Sequence, residues 1–316
     1  MAALSDLPRV VAIGGPTATG KTALSVALAK EFDGEIISAD SMQIYKGLDV
    51  GTAKVTPEEM QGIPHHLIDI LDPAQLFSVA EFTARADAAI RDITARGKLP
   101  LVVGGTGLYI SSLLNGVAFA PQPEDPTFRA ALQQRIENGE TQAVYEELCR
   151  VDPDYARTLH PNNTHRVIRA LELYHLTGRT MSEQRAESLP AQKPYRALCL
   201  CLTCADRARL YRCIDLRVDR MVEAGILEEA ECVWNNRETF RTAAQAIGYK
   251  EFFPYFEGTG TLAECTAKLK QASRNYAKRQ LTWFRRQTDA VWLEIEDPDT
   301  PARAGELVRN FLAGED

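Results

Sequence analysis

The sequence predicts an α/β protein: a parallel sheet flanked by helices, with an all-helical insertion. Three observations carry this expectation. Short, apolar, β-branched runs at 10–13, 35–40 and 100–103 read as strands, the first and third buried on both faces. Between them the spacing of apolar residues turns helical, and alternating strands and helices build parallel crossover units. From 126 to about 188 the helical pattern continues without a strong strand.

The first strand opens the most informative stretch. It runs into Gly15-Pro16-Thr17-Ala18-Thr19-Gly20-Lys21-Thr22, which fits G-x-x-x-x-G-K-[ST] at every fixed position, and a helix begins at Thr22 through Leu24, Ala27 and Leu28. Strand, glycine-rich loop and helix together make this a P-loop, and the core P-loop NTPase-like. Backbone N–H groups of the loop and the helix N-terminus converge on one spot that suits a diphosphate. Lys21 adds a mobile positive charge, and the Thr22 hydroxyl is a candidate Mg²⁺ ligand. The motif specifies a polyphosphate with a metal, not which polyphosphate or what is done to it.

The second strand ends on Asp40, followed by Ser41, Met42 and Gln43. Ligands of open α/β sheets sit at the carboxyl ends of the strands, so a parallel second strand brings Asp40 near the P-loop. A carboxylate there can bind metal, act as a base or cap a helix. Pro57 starts a short helix, and Pro64-His65-His66 is no obvious metal pair. Ser78 and Glu81 form a capping box for a helix that stops near Gly97. The third strand leads into a second small-residue turn, Gly104-Gly105-Thr106-Gly107, expected beside the P-loop.

A proline-rich stretch at 120–126 marks a boundary. The expected division is a core of residues 1–120 and 191–316 and a helical insertion of residues 121–190. Within the insertion, Arg166 and Arg169 share a helix face. Residues 197–203 return to strand, and a helix follows from Asp206 to near Gly225. A basic C-terminal helix then carries seven Lys or Arg and no Asp or Glu between 266 and 288. Cys265, Leu269, Ala272, Tyr276, Gln280 and Trp283 form its inner stripe, while Lys270, Arg274, Lys278 and Arg285 fall on the opposite face. That face reads as a focused cationic patch for nucleic-acid phosphate.

The bulk numbers narrow the class. The 316 residues are 45% hydrophobic and 25% charged, ordinary for a globular protein. A net charge of −7 gives whole-chain nucleic-acid attraction no support, so any such binding needs a local basic surface. No apolar run is long enough to span a membrane, and no leader pattern is present, so a cytoplasmic protein is expected. Seven cysteines then read as reduced thiols. Cys199, Cys201 and Cys204 lack the paired partners of a zinc site.

Three classes remain on the residues alone: a kinase for a small hydroxyl compound, a transferase whose diphosphate leaves while an RNA base attacks, and an RNA-dependent NTPase. The strand at 101–103 ends in Gly-Gly where an NTPase usually has an Asp for Mg²⁺, which weakens the last. Ordered blocks then point to a family. GPTATGKT (15–22), DSMQIYKGLDVGTAK (40–54), PHHLID (64–69), VVGGTGLYI (102–110), RVIRALEL (166–173), RVDRMVEAGILEE (217–229) and AIGYKE (246–251) stand in sequence. With them the chain closely resembles the bacterial tRNA dimethylallyltransferases, or tRNA isopentenyltransferases. Thr19 stands where that family often has Ser, keeping the hydroxyl, and His165 where Gln is common.

The resemblance implies transfer of a dimethylallyl group from dimethylallyl diphosphate to N6 of the adenosine 3′ of the tRNA anticodon. Residues 15–22 then hold the donor diphosphate with Mg²⁺. Lys21, Thr106 and Arg217 join Asp40, the base, in the catalytic set. Contacts to the tRNA anticodon stem-loop are implied for Asp40, Ser41, Met42, Gln43, Thr106, Arg129, His165, Arg166, Arg169, Gln245, Gly248, Tyr249 and Lys250. A monomer is expected.

Overall fold

The apolar residues of the first strand alternate between two faces, and the sheet is covered accordingly. The computed structural model describes residues 7–119, 125–286 and 289–315. The chain runs β1 (Arg9–Gly14), α1 (Lys21–Glu31), β2 (Gly34–Ser38), α2 (Pro57–Met60), β3 (His65–His66), α3 (Val79–Ala95), β4 (Leu99–Val103) and α4 (Gly107–Leu114). Five helices follow: α5 (Pro126–Glu137), α6 (Thr141–Val151), α7 (Pro153–Ala156), α8 (Thr164–Thr177) and α9 (Met181–Ser188). The chain then continues through β5 (Arg196–Thr203), α10 (Arg207–Glu223), α11 (Ile226–Asn235), α12 (Phe253–Phe256), α13 (Leu262–Phe284), β6 (Ala290–Glu294) and α14 (Thr300–Ala313). Short 3₁₀ turns lie at Ala243–Gln245 and Lys250–Phe252.

Two units separate: Met1–Leu114 with Pro194–Asp316, and Asn115–Lys193. In the first, six strands among the described residues form one sheet in the order β3-β2-β4-β1-β5-β6, every pairing parallel. Val10 and Ala12 face Phe82, Ala86 and Ile90 of α3 and Tyr109 of α4. Val11 and Ile13 face Leu24 and Leu28 of α1 and Val308 of α14. A third cluster gathers Ile44, Tyr45 and Leu48 with α11, Phe252 and α13. The second unit has its own core, in which Val144, Leu148, Val167, Ile168 and Leu171 pack together. Most of the proline-rich boundary expected at 120–126 lies outside the described residues.

Ser78 does cap α3 in a capping box with Glu81, and α2 carries a second box from Thr56 and Glu59. The basic helix α13 is not the last element, because β6 and α14 follow it. The single strand-length run at 290–294 finds its partner only at the sheet edge, where it pairs with β5. The first half of the cationic face of α13 is taken up by a neighbouring helix, while Lys278 and Arg285 stay exposed. Lys270 pairs with Asp219 at 2.6 Å, and Arg274 grips both oxygens of Asp215 at 2.6 and 2.7 Å. Lys278 lies over the Tyr211 ring. Asp215 and Asp219 are one turn apart on α10, so the two helices zip acid to base. The periodicity of α13 alone could not show its neighbour's charges.

Glu35 on β2 ties three strands at the far end of the sheet. Its carboxylate, 3% exposed, takes the Arg96 guanidinium fork, His66 Nε2 at 2.8 Å and Lys98 Nζ at 3.4 Å. Hydrogen bonds from Arg96, outweighing burial, hold its pKa down near about 2. Glu35→Gln should destabilise the protein by about 2 kcal/mol at neutral pH, less than a fully buried pair because Arg96 is partly exposed. The folded-state pKa lies below the unfolded value of 4.5, so this contribution is complete above that value and is lost as pH falls toward 2. Urea unfolding at about pH 7 and about pH 3 should show the gap between variant and wild type shrinking at the lower pH.

Candidate active site

Three neighbouring strands, β2, β4 and β1, deliver three loops to the same edge of the sheet. The loop after β1 is the P-loop. Gly15 has a φ of +133°, and a Cβ there would sit 2.6 Å from the Leu202 carbonyl oxygen, so only glycine fits this turn. Thr19 Oγ1 donates to the Pro16 carbonyl at 2.8 Å and closes the loop on itself. Gly20 leads into α1 with no side-chain cap, which leaves the first-turn N–H groups to a ligand. Thr22 stands exposed in that turn.

Lys21 Nζ donates to the Pro16 carbonyl at 2.6 Å and lies across the loop. Burial, then the neighbouring positive charge of Arg217, pull its pKa from 10.5 down to about 7, against the opposing pull of Asp40. Arg217 projects from α10, and its own pKa is lowered by burial. The site therefore gathers two desolvated cations and one carboxylate. An anion is what it lacks electrostatically.

Asp40 follows β2, as its parallel pairing requires. Its Oδ1 accepts from the N–H of Met42 at 2.9 Å and of Gln43 at 3.4 Å, so one oxygen caps the turn. Asp40 thus caps a turn, not the helix start that is one of its expected roles, and it lies close enough to the P-loop for its charge to act on Lys21. Thr106, in the turn after β4, accepts from the Ser41 N–H at 3.3 Å and links the second and third loops. Tyr276 of α13 completes this corner. Its phenol is pushed up to about 12 by burial and by the Asp40 charge, with Thr106 and Gln280 as hydrogen-bonding neighbours.

Gln280 is a residue the sequence reading placed only in the inner stripe of α13. Its Oε1 accepts from the Thr17 N–H at 3.0 Å, and its Nε2 donates to the Gly105 carbonyl at 3.0 Å. One side chain thus fastens the P-loop to the second glycine turn. A Cβ on Gly105 would lie 2.1 Å from Gln280 Nε2 and would push the amide off this link. The available signal was an amide in an otherwise apolar stripe.

The remaining expected residues divide. Gln245 and Lys250 are exposed, and Lys250 Nζ donates to the Gln245 carbonyl at 2.9 Å. Gly248 and Tyr249 are buried. Arg129, His165, Arg166 and Arg169 belong to the other unit. There His165 and Arg166 are exposed, while Arg129 and Arg169 share the fully buried Glu172, at 2.9 and 2.5 Å. All seven cysteines are free, and among the described residues no group of three or more His, Cys, Asp or Glu is placed to hold a metal. No helix among them is long and apolar enough to cross a membrane.

A parallel sheet with a P-loop, flanked by the half-buried Lys21, Arg217 from α10 and one carboxylate after β2, defines the class: a P-loop protein. Comparison with known proteins narrows the class. The IPP transferase family model matches residues 43–287, and the isopentenyl transferase model matches residues 8–72. The tRNA dimethylallyltransferase of Geobacillus thermodenitrificans is 49% identical over 308 residues, 97% of each chain. That of Bacillus subtilis is 48% identical over 293 residues, 92% of this chain and 91% of its own. Among solved structures, the tRNA isopentenylpyrophosphate transferase of Bacillus halodurans is similar at 44% identity and a TM-score of 0.71, over 98% of this chain and 96% of that one. A eukaryotic dimethylallyltransferase acting on tRNA reaches a TM-score of 0.81 at 32% identity, over 98% of this chain and 80% of that one. The chain belongs to the IPP transferase family.

The lowered pKa of Lys21 has a measurable consequence. With its pKa brought down to about 7, Lys21 should lose its proton above about pH 8, and a diphosphate bound at the P-loop should restore it. Calorimetry with dimethylallyl diphosphate in buffers of different ionisation enthalpy should report uptake of about one proton at about pH 8.5, vanishing well below pH 7. Lys21→Met should bind more weakly and take up none. Uptake that persists in the variant would assign the proton elsewhere.

Proposed function

We propose that this chain moves a dimethylallyl group from dimethylallyl diphosphate to N6 of the adenosine 3′ of the anticodon in tRNA, giving N6-isopentenyladenosine. It is an enzyme, a prenyltransferase that modifies tRNA. The observation that carries the reading is the pairing of a diphosphate cradle with a single carboxylate on the next loop, in a chain alike over nearly its whole length to tRNA dimethylallyltransferases.

Each group has work that its position suits. Residues 15–22 cradle the donor diphosphate through backbone N–H groups, with Lys21 and Arg217 supplying positive charge. As the C1–O bond of the donor breaks, negative charge builds on the leaving diphosphate, where these fixed cations and dipoles stabilise it. The adenine N6 forms the new bond to C1, and its proton passes to Asp40. Asp40 Oδ1 is held by the Met42 and Gln43 amides, which leaves Oδ2 to face the base. The exocyclic amine is a weak nucleophile, so orientation of the base counts as much as basicity. Thr106, fixed to Ser41, and the Tyr276 phenol border the same corner.

The donor set also fits Mg²⁺. Thr22, with an exposed hydroxyl at the first turn of α1, would hold Mg²⁺ beside the diphosphate. When bound, Mg²⁺ supplies further charge stabilisation to the leaving diphosphate.

The tRNA side draws on Ser41, Met42, Gln43, Gln245, Gly248, Tyr249 and Lys250 in the core and on Arg129, His165, Arg166 and Arg169 in the helical unit. The target base sits in a single-stranded loop and is free to splay out. A monomer is the working unit proposed.

The test is a transfer assay with unmodified tRNA and Mg²⁺, one arm with labelled dimethylallyl diphosphate and the other with γ-labelled ATP. Label should enter tRNA only from the prenyl donor. Transfer or release from ATP alone would move the protein to a kinase or an RNA-dependent NTPase. Asp40→Asn should cut kcat by about 10²- to 10⁴-fold, the range for loss of a general base. Its tRNA affinity should change little, and turnover near wild type would remove Asp40 from the base role.

A further inference from the structure

Away from the cations, one carboxylate is fully engaged by two other segments of the chain. Glu229 stands in the first turn of α11. Its Oε1 accepts from the N–H of Asp49 at 2.8 Å and of Val50 at 2.7 Å, and its Oε2 from the N–H of Gly51 at 3.0 Å. The Tyr249 hydroxyl donates to the same Oε2 at 3.1 Å. Three successive backbone N–H groups around an anion form a nest, here filled by the protein's own side chain. Charge-assisted bonds of this kind are about twice as strong as neutral ones.

The nest is wired to the acceptor side of the site. Immediately after it, the carbonyls of Thr52 and Ala53 accept from Gln43 Nε2 at 3.4 and 3.2 Å. Gln43 Oε1 accepts from Ser38 Oγ at 3.3 Å, and the Gln43 N–H faces Asp40 Oδ1. On the other side, the Tyr249 ring lies so close to Gly51 that a Cβ there would sit 2.5 Å from it. A Cβ on Gly248 would sit 2.9 Å from the Gly51 carbonyl oxygen. Glu229 therefore clamps the 40–54 and 245–250 stretches together. It has no comparable bond to the P-loop.

We propose that Glu229 is a positioning residue for the acceptor adenosine. By holding residues 49–51 it fixes Gln43 and the Asp40 turn against the 245–250 stretch, and so sets how the target base meets the carboxylate. This rests on the transfer reading above. A carboxylate suits the task because it only accepts. A glutamine would turn an NH₂ group toward the Gly51 N–H, setting donor against donor. Displacement of about 1 Å at a reacting group costs on the order of 10²-fold in rate.

The experiment uses the full chain, with Glu229→Gln and Glu229→Asp beside wild type, and varies tRNA and dimethylallyl diphosphate separately. For Glu229→Gln, kcat/KM for tRNA should fall about 10- to 100-fold while the KM for the donor stays within about twofold. Hydrogen exchange at residues 49–53 should speed up in the same variant. Glu229→Asp keeps the charge and withdraws it by one methylene, so it should shift both readouts in the same direction but less. It also stands in if the glutamine variant does not fold. Unchanged tRNA parameters, or a fall in kcat/KM for tRNA matched by an equal loss of donor affinity, would overturn the positioning role. Wild-type chain that moves no prenyl label would overturn the transfer reading, and this inference with it. Transfer by wild type with an indifferent Glu229→Gln would overturn the inference alone.

Discussion

Two cations share a buried corner of this molecule with a single carboxylate, and much of the site follows from that imbalance. Lys21 and Arg217 come from different elements, yet each lies where water cannot fully solvate it. Burial and the neighbouring charge of Arg217 bring Lys21 down to about 7. In the proposed reaction a diphosphate supplies the missing negative charge. The P-loop amides add partial charges at no further desolvation cost, because α1 has no side-chain cap to use them up. The same arrangement that makes the free site unfavourable makes it receptive to a leaving diphosphate, whose charge grows as its bond to carbon breaks.

Around this corner the fold is locked by contacts that cross the sheet edge. Gln280 bonds one loop through its oxygen and the next through its nitrogen, so the P-loop and the Gly104–Thr106 turn cannot move independently. Tyr276 adds a phenol one turn earlier on the same helix. The buried face of α13 thus serves the site, and the first half of its basic face serves packing. Lys270 and Arg274 are spent on Asp219 and Asp215 of α10, the helix that also carries Arg217. Those ion pairs hold α10 against α13. Lys278, Arg279, Arg285 and Arg286 remain exposed toward the C-terminal end of α13.

Much of this was legible in the residues. A continuous apolar run can only be a strand with both faces covered, and eight consecutive positions fixed the loop after it. The capping box at Ser78 declared its helix because the signal is local. What escaped is non-local. The pairing of 290–294 with β5 depends on a strand far away in sequence. The neutralised half of the basic face of α13 depends on the charges of a neighbour that the periodicity of one helix does not contain. Gln280 looked like a misplaced polar residue in a stripe until its two partners, 263 and 175 residues away, came into view. Arg129 and Arg169 were legible as cations, but not as the two halves of one site around Glu172.

Asp40 brings the local and non-local parts together. One of its oxygens does the work any turn aspartate does, capping the amides of Met42 and Gln43, and that is the role a sequence alone most readily assigns. The turn is not free to relax, however, because Thr106 ties Ser41 to the β4 loop and Gln43 is tied to Thr52 and Ala53. A carboxylate whose first oxygen is clamped has its second oxygen's direction set by the backbone. Proton transfer from a weakly nucleophilic amine needs that fixed direction more than it needs a strong base. The donor cradle is built on β1 and the acceptor carboxylate on β2, with β4 between them. In the proposed reaction the distance between leaving group and base would therefore follow the hydrogen-bonded spacing of a parallel sheet, the most rigid ruler the fold has.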